Sequence, residues 1–248
     1  MTQESGQTKT LAPLRNVNRL LTLVKRLENR GDGVPGMGCF YGWSGLGKSM
    51  AASYCTNAHA AIHVEVKSVW SKNSLCEAIL EELGLPAKGT AAKMASQIAE
   101  ALAMEQVPLI IDEADFLVDK GMIEIVRDIY QMSDVPVILV GEELLPQKLR
   151  RWERVHGRIR SWVSAEAADD ADFDLLMNIR CPGIVIEATL TEAIKTASIG
   201  SARRIVVNLD EVREIAAITG KKTITMADWG DRDFFTGQAP DPRSGRSA

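Results

Sequence analysis

At 248 residues, with 46% hydrophobic and 25% charged side chains, the chain has the composition of a globular protein with room for a sizeable core. Its net charge of −4 gives no overall pull toward nucleic acid, so any such contact has to come from a local basic patch. No apolar run is long enough to span a bilayer and the polar first ten residues hold no signal-peptide core, which predicts a cytoplasmic protein with no membrane partner. The cysteines Cys39, Cys55, Cys76 and Cys181 form no C-x-x-C pair, and His59, His63 and His156 do not cluster with them. That pattern predicts reduced thiols and neither a disulfide framework nor a zinc site.

In chain order, residues 1–15 read as an arm. Val17, Leu20, Leu21, Leu23, Val24 and Leu27 then recur at helical spacing, which predicts an amphipathic helix over 16–29. The Gly- and Pro-rich stretch 31–36 is a breaker. Met37 to Tyr41 follows as a short apolar strand, and Lys48 to Tyr54 as a helix opening. Further strands are predicted over 60–66, 107–111 and 135–140, and further helices over 74–83, 91–104 and 121–132. This alternation predicts an α/β fold with a parallel sheet covered by helices on both faces. From Asp169 onward the strand signal thins, and 172–179, 190–198 and 202–218 read as helices. The expected organisation is an N-terminal arm and amphipathic helix (1–34), an α/β core (35–165), a small helical unit (166–232) and a disordered tail (233–248).

Between the first strand and its helix lies Gly42-Trp43-Ser44-Gly45-Leu46-Gly47-Lys48-Ser49, which meets the phosphate-loop pattern G-x-x-x-x-G-K-[ST] at every fixed position. Its glycines let backbone N–H groups wrap an anion, and the helix N-terminus adds partial positive charge. An ordinary glycine-rich turn would share the glycines but not the ordered Lys and Ser between strand and helix. The pattern implies a nucleoside triphosphate held by Gly42, Ser44, Gly45, Leu46, Gly47, Lys48, Ser49 and Met50, with Lys48 on the β- and γ-phosphates and the Ser49 hydroxyl on Mg²⁺. The run 107–111 ends in Asp112-Glu113, where a carboxylate faces the ligand crevice of an open α/β sheet. Asp112 is predicted to join the Mg²⁺ shell and Glu113 to polarise the attacking water.

These residues carry a family resemblance. Gly42 to Ser49, together with Ile110-Ile111-Asp112-Glu113-Ala114-Asp115, resembles the Walker A and Walker B motifs of AAA+ ATPases, and Gly200-Ser201-Ala202-Arg203-Arg204 resembles their sensor-2 motif. The resemblance implies a P-loop NTPase αβα sandwich with a C-terminal helical lid, ATP and Mg²⁺ as cofactors, and oligomers with ATP at subunit interfaces. It also implies that Arg203 reaches the γ-phosphate from the lid, where a plain reading of the residue is a helix-surface arginine. The family usually has Asn, Ser or Thr after the fourth strand as sensor 1, whereas here Gly141-Glu142-Glu143 follows Val140, and Glu142 takes that place.

The basic cluster 148–160 has three readings. It is a solvated helix face with Arg150 and Arg154 on one side, a DNA-backbone contact, or the site of the arginine finger that the family places here, with Arg158 first, then Arg154, then Arg151. For DNA, Lys67, Trp70, Lys72 and Asn73 follow the second strand, with Lys120 a weaker candidate; an ordinary polar loop is the alternative. Within AAA+, the compact size, the Asp-Glu-Ala-Asp sequence and the segment 135–144 most resemble the transposition-helper ATPases of the bacteriophage Mu B type. That resemblance implies ATP-dependent, sequence-nonspecific binding to duplex DNA as a ring or helical filament, and delivery of target DNA to a transposase. It also implies a bacterial host cytoplasm and a phage-borne origin. The alternatives are a replicative helicase loader and a nucleotide-gated protein-protein switch with little hydrolysis.

Overall fold

The structure is a computed structural model and describes residues 13–238. The expected arm before residue 13 and the tail beyond 238 lie outside the described residues. The chain divides into two compact units at Glu166 and Ala167.

The first unit opens with α1 (Arg15–Glu28), whose buried residues Val17, Leu20, Leu23, Val24 and Leu27 form the stripe that its sequence spacing requires. Basic Lys25 and Arg26 occupy its last turn, where the helix dipole favours cations, and Asn29 closes it by donating from its backbone N–H to the Lys25 carbonyl at 3.0 Å. β1 (Met37–Tyr41), α2 (Lys48–His59), β2 (Ile62–Glu65), α3 (Lys72–Glu82), α4 (Ala91–Glu105), β3 (Leu109–Asp112) and α5 (Asp115–Asp119) follow. The unit continues with α6 (Ile123–Ser133), β4 (Val137–Gly141), α7 (Leu145–Leu149), α8 (Glu153–His156) and β5 (Ile159–Ser164).

All five strands are parallel, in the order β2-β3-β4-β1-β5. Central strands β1, β3 and β4 are almost wholly buried, as a sheet covered on both faces demands. Met37, Cys39, Leu109, Ile111, Val137 and Leu139 point into one core with α3, α4 and α6. The alternate residues face α1 and α2. On that side α1 comes so close that a Cβ on Gly38 would lie 2.8 Å from Leu27 Cδ1 and 3.0 Å from Leu23 Cδ1, so the strand takes glycine there. The result is an αβα sandwich.

The basic cluster differs from the expectation. α7 stops at Leu149 and α8 spans only Glu153–His156, so Arg150 and Arg154 do not share a helix face. Ile159 and Arg160, read as the end of the basic run, open edge strand β5 (159–164), paired in parallel with β1. An edge strand exposes one side, so Arg160 and Trp162 alternate with buried Ile159 and Ser161 and dilute the apolar signal. Lys72 and Asn73 also differ: they open α3, behind Ser71, whose hydroxyl accepts from the Ser74 N–H.

The second unit contains α9 (Asp170–Arg180), β6 (Val185–Ile186), α10 (Ala188–Ser198), α11 (Ala202–Thr219), β7 (Thr223–Ile224) and α12 (Met226–Trp229). A reciprocal Asp169/Asp172 capping box starts α9, and Ser201 caps α11 by accepting from the Arg204 N–H. The unit is mainly helical, but β6 and β7 form a two-stranded parallel ladder too short to leave a period-2 pattern in the sequence. Buried Asn208 ties the segment after α12 to α11, accepting from the Phe235 N–H at 2.8 Å and donating to its carbonyl at 3.1 Å.

Candidate functional site: a phosphate loop beside paired carboxylates

The C-terminal ends of the central strands are joined side by side. The Gly42 N–H donates to the Gly141 carbonyl at 3.3 Å, the Ala114 N–H to Val140 at 2.9 Å, and the Ala165 N–H to Tyr41 at 2.6 Å. The phosphate loop, the Asp112-Glu113 pair and Glu142 are thereby brought to one edge of the sheet. This is the edge where open α/β sheets bind ligands.

Loop residues Gly45 and Gly47 hold φ of 84° and 85°, a left-handed backbone that favours glycine. Gly47 is the N-cap of α2 and offers no side chain to its first N–H groups, which leaves them for an anion. The Lys48 ammonium donates to the Gly42 carbonyl at 2.8 Å and the Trp43 carbonyl at 2.9 Å, so it lies inside the curve of the loop. Burial pushes its pKa below the ordinary lysine value, opposed by the carboxylates of Asp112, Glu142, Glu113 and Asp115. Ser49 and Met50 continue the first turn of α2.

Asp112 ends β3 and is 1% exposed. Its Oδ1 accepts from the Glu113 N–H at 2.8 Å, while its buried Oδ2 has no hydrogen-bond partner among the described residues. A buried carboxylate oxygen left over in this way fits a cation shell, so Asp112 and the Ser49 hydroxyl suit Mg²⁺ held with phosphate and water. Glu113 has φ +55°, a left-handed backbone that costs a non-glycine residue about 1 kcal/mol or more. Burial pushes its carboxyl pKa above the usual range, Asp112 and Glu142 push it further, and Lys48 opposes them.

Asp115 has a part that the motif alone does not reveal. Its Oδ2 accepts from the Glu142 N–H at 2.7 Å, and its Oδ1 pairs at 3.0 Å with Lys148, which also bonds Asp119 Oδ2 at 2.8 Å. Gly141 leaves room for this, since a Cβ there would lie 2.3 Å from Asp115 Oδ2. Asp115 therefore anchors the tip of β4 and with it Glu142, whose charge acts on both Lys48 and Glu113. The sequence signal was the fourth letter of Asp-Glu-Ala-Asp, three residues beyond Asp112.

The other predicted residues of the first unit lie apart from this centre. Exposed Arg158 precedes β5, and its carbonyl accepts from the Met37 N–H at 3.1 Å. It sits at the N-terminal edge of the sheet, one strand length, roughly 15 Å, from the loop. An arginine there can serve a phosphate only on a neighbouring subunit. Arg150, Arg151 and Arg154 are exposed as well. Arg203 is the second residue of α11, exposed, in the second unit. Lys67 pairs with Glu65 at 2.7 Å, Lys72 and Asn73 are exposed, and half-buried Trp70 packs against the core. Lys120 joins this segment by donating to the Trp70 carbonyl at 3.0 Å.

No helix among the described residues is long and apolar enough to cross a membrane. Residues 32–149 match the AAA domain family. No curated protein matches the chain. Among solved structures, Orc1 of Aeropyrum pernix in complex with DNA is similar over 86% of this chain at 18% identity and a TM-score of 0.63, with 62% of the Orc1 chain covered. A Walker-type ATPase of Pyrococcus abyssi covers 87% of this chain at 14% identity and TM-score 0.61, with 70% of its own length matched. Cdc6p of Pyrobaculum aerophilum covers 90% at 16% identity and TM-score 0.60, with 66% of its own length matched. The chain thus spans less than two thirds of the Orc1 and Cdc6p chains it resembles. Residues 32–149 thus match the AAA domain family, and the αβα sandwich that contains them has the fold of P-loop NTPases.

Proposed function

We propose that the chain is an ATP-dependent, sequence-nonspecific DNA-binding AAA+ ATPase that assembles on duplex DNA and delivers it to a transposase. The observation that carries the ATPase part is the trio at the strand ends: Lys48 inside the loop, Asp112 with an unmatched buried oxygen, and Glu113 with a raised pKa. Backbone N–H groups of 44–49 and Lys48 hold the β- and γ-phosphates, and Mg²⁺, with Ser49 and Asp112 as its protein ligands, supplies neutralising charge on the phosphate oxygens. Glu113 orients a water and accepts its proton as the water oxygen bonds to the γ-phosphorus. The bond to the β–γ bridging oxygen breaks and ADP leaves. Arg203 senses the γ-phosphate from the same chain and Arg158 from a neighbour, so ATP joins subunits and its hydrolysis releases them.

Support for DNA comes from the polar segment carrying Lys67, Trp70, Lys72 and Asn73, to which Lys120 is joined, and from the fold shared with an Orc1 solved in complex with DNA. Support for the transposase partner is the sequence resemblance alone. A second reading, a nucleotide-gated switch with little turnover, is favoured by one observation: Glu142 stands where an amide or hydroxyl usually helps place the water. The test is anisotropy of a labelled random-sequence duplex at two salt concentrations with ATP, with ADP and without nucleotide. Tight, salt-sensitive binding only with ATP, accompanied by large assemblies, supports the DNA-assembling reading. ATP binding without DNA binding in any state overturns it and leaves the switch.

A further inference from the structure

Asn16 lies in the first turn of α1, is 5% exposed, and spends its whole amide on two distant stretches of backbone. Its Nδ2 donates to the Leu46 carbonyl at 2.8 Å and to the Glu166 carbonyl at 2.8 Å, and its Oδ1 accepts from the Glu166 N–H at 2.9 Å. Only this orientation of the amide satisfies all three bonds. Around it, the Glu166 carboxylate pairs with Arg15 at 2.8 Å and Arg19 at 2.6 Å, and Arg19 Nε donates to the Ser164 carbonyl at 3.0 Å.

Leu46 stands between the two left-handed glycines of the phosphate loop. In a trans peptide the C=O and the following N–H point in opposite directions. Holding the Leu46 carbonyl toward α1 therefore turns the Gly47 N–H away from α1. A loop flanked by two glycines has little intrinsic preference for one orientation of that peptide, because glycine accepts either sign of φ. The other end of the clamp, Glu166, is the last residue before the chain leaves the nucleotide-binding unit.

We propose that Asn16 is a positioning residue of the phosphate loop. It fixes the Leu46–Gly47 peptide with its N–H available to phosphate and ties that orientation to Glu166, so occupancy of the loop is read at the boundary between the units. This rests on the ATP-binding reading. Its test has two parts. The wild-type protein is followed by amide hydrogen exchange with and without a non-hydrolysable ATP analogue. Protection is expected at 44–49 and at 164–166 together, and protection of the loop without any change at 164–166 overturns the coupling.

Asn16→Asp keeps the shape and the acceptor for the Glu166 N–H but turns an oxygen toward two carbonyls. It is expected to weaken analogue binding at least tenfold, to raise KM more than it lowers kcat, and to uncouple the two protected segments. Val24→Ala, which trims a buried residue of the same helix remote from the clamp, is expected to lower Tm while leaving affinity and coupling as in wild type. Wild-type-like affinity in Asn16→Asp, or an equal loss of affinity in Val24→Ala, overturns the inference alone. A wild-type protein that binds no nucleotide overturns the ATP reading and this inference with it.

Discussion

Glu113 is held in a backbone conformation that only its neighbours can enforce, between a strand that ends at Asp112 and a helix that starts at Asp115. Strain at a residue of this kind persists where the surrounding fold over-determines it. Glu113→Gln is expected to abolish steady-state ATP turnover while leaving binding of a fluorescent ATP analogue intact. Because the fold raises the Glu113 pKa, the folded state disfavours its ionised form, so at neutral pH the Gln variant should also unfold at a higher temperature than wild type. That difference should shrink as pH falls, since Glu113 then becomes neutral in both folded and unfolded chains. Lys48→Ala should lose analogue binding itself. That Lys48, Ser49, Asp112 and Glu113 gather at one edge of the sheet was legible in the sequence, because both motifs directly follow apolar strands. The unmatched oxygen of Asp112 and the positive φ of Glu113 were not, because both depend on residues distant in the chain.

Among the elements, the tip of β4 carries the least slack. A Cβ on Gly141 would lie 2.3 Å from Asp115 Oδ2 and 2.6 Å from Leu145 Cδ2, so Gly141→Ala must displace the carboxylate that holds the Glu142 N–H. It should cost roughly 1–3 kcal/mol in urea unfolding and lower turnover by moving Glu142 away from Lys48 and Glu113. If Glu142 plays no part, turnover will hold while stability falls. Strands β1, β3 and β4 were legible as apolar runs between helices. Edge strand β5 was not, because its half-buried arginine and tryptophan break the apolar run, and that hid the end of the basic cluster. The order β2-β3-β4-β1-β5 could not be read from periodicity, which reports which face is buried and not which strand lies alongside. The ladder of β6 and β7 escaped for a simpler reason: two residues have no period.

At the scale of the molecule, charge and burial set the measurable behaviour. All four cysteines are buried and free; burial pushes Cys55 up to about 12 and Cys76 and Cys181 up to about 11, and raises Cys39 further. Ellman's reagent at pH 8 is therefore expected to react at the rate of unfolding, and fast reaction of any one thiol would show that its element opens locally. Stability should also decline above about pH 8.5, where unfolded thiols ionise and folded ones do not. Arg158→Ala is expected to bind ATP as a monomer yet neither assemble nor hydrolyse, by light scattering and phosphate release; normal hydrolysis would move the finger to Arg154 or Arg151.

Strand β1 is paired with β5, the last strand of its unit, since Met37 aligns with Ile159, and α1 is fastened to the residues just past that strand through Asn16 and Glu166. A ribosome adding 5–20 residues per second exposes the leucine stripe of α1 on the order of ten seconds before residue 166 emerges. Closure of the sheet across so long a loop is intrinsically slow. During synthesis α1 can therefore settle on β1 and α2 early, but the part of it that meets β5, and its anchor at Glu166, stay open until that last strand has emerged.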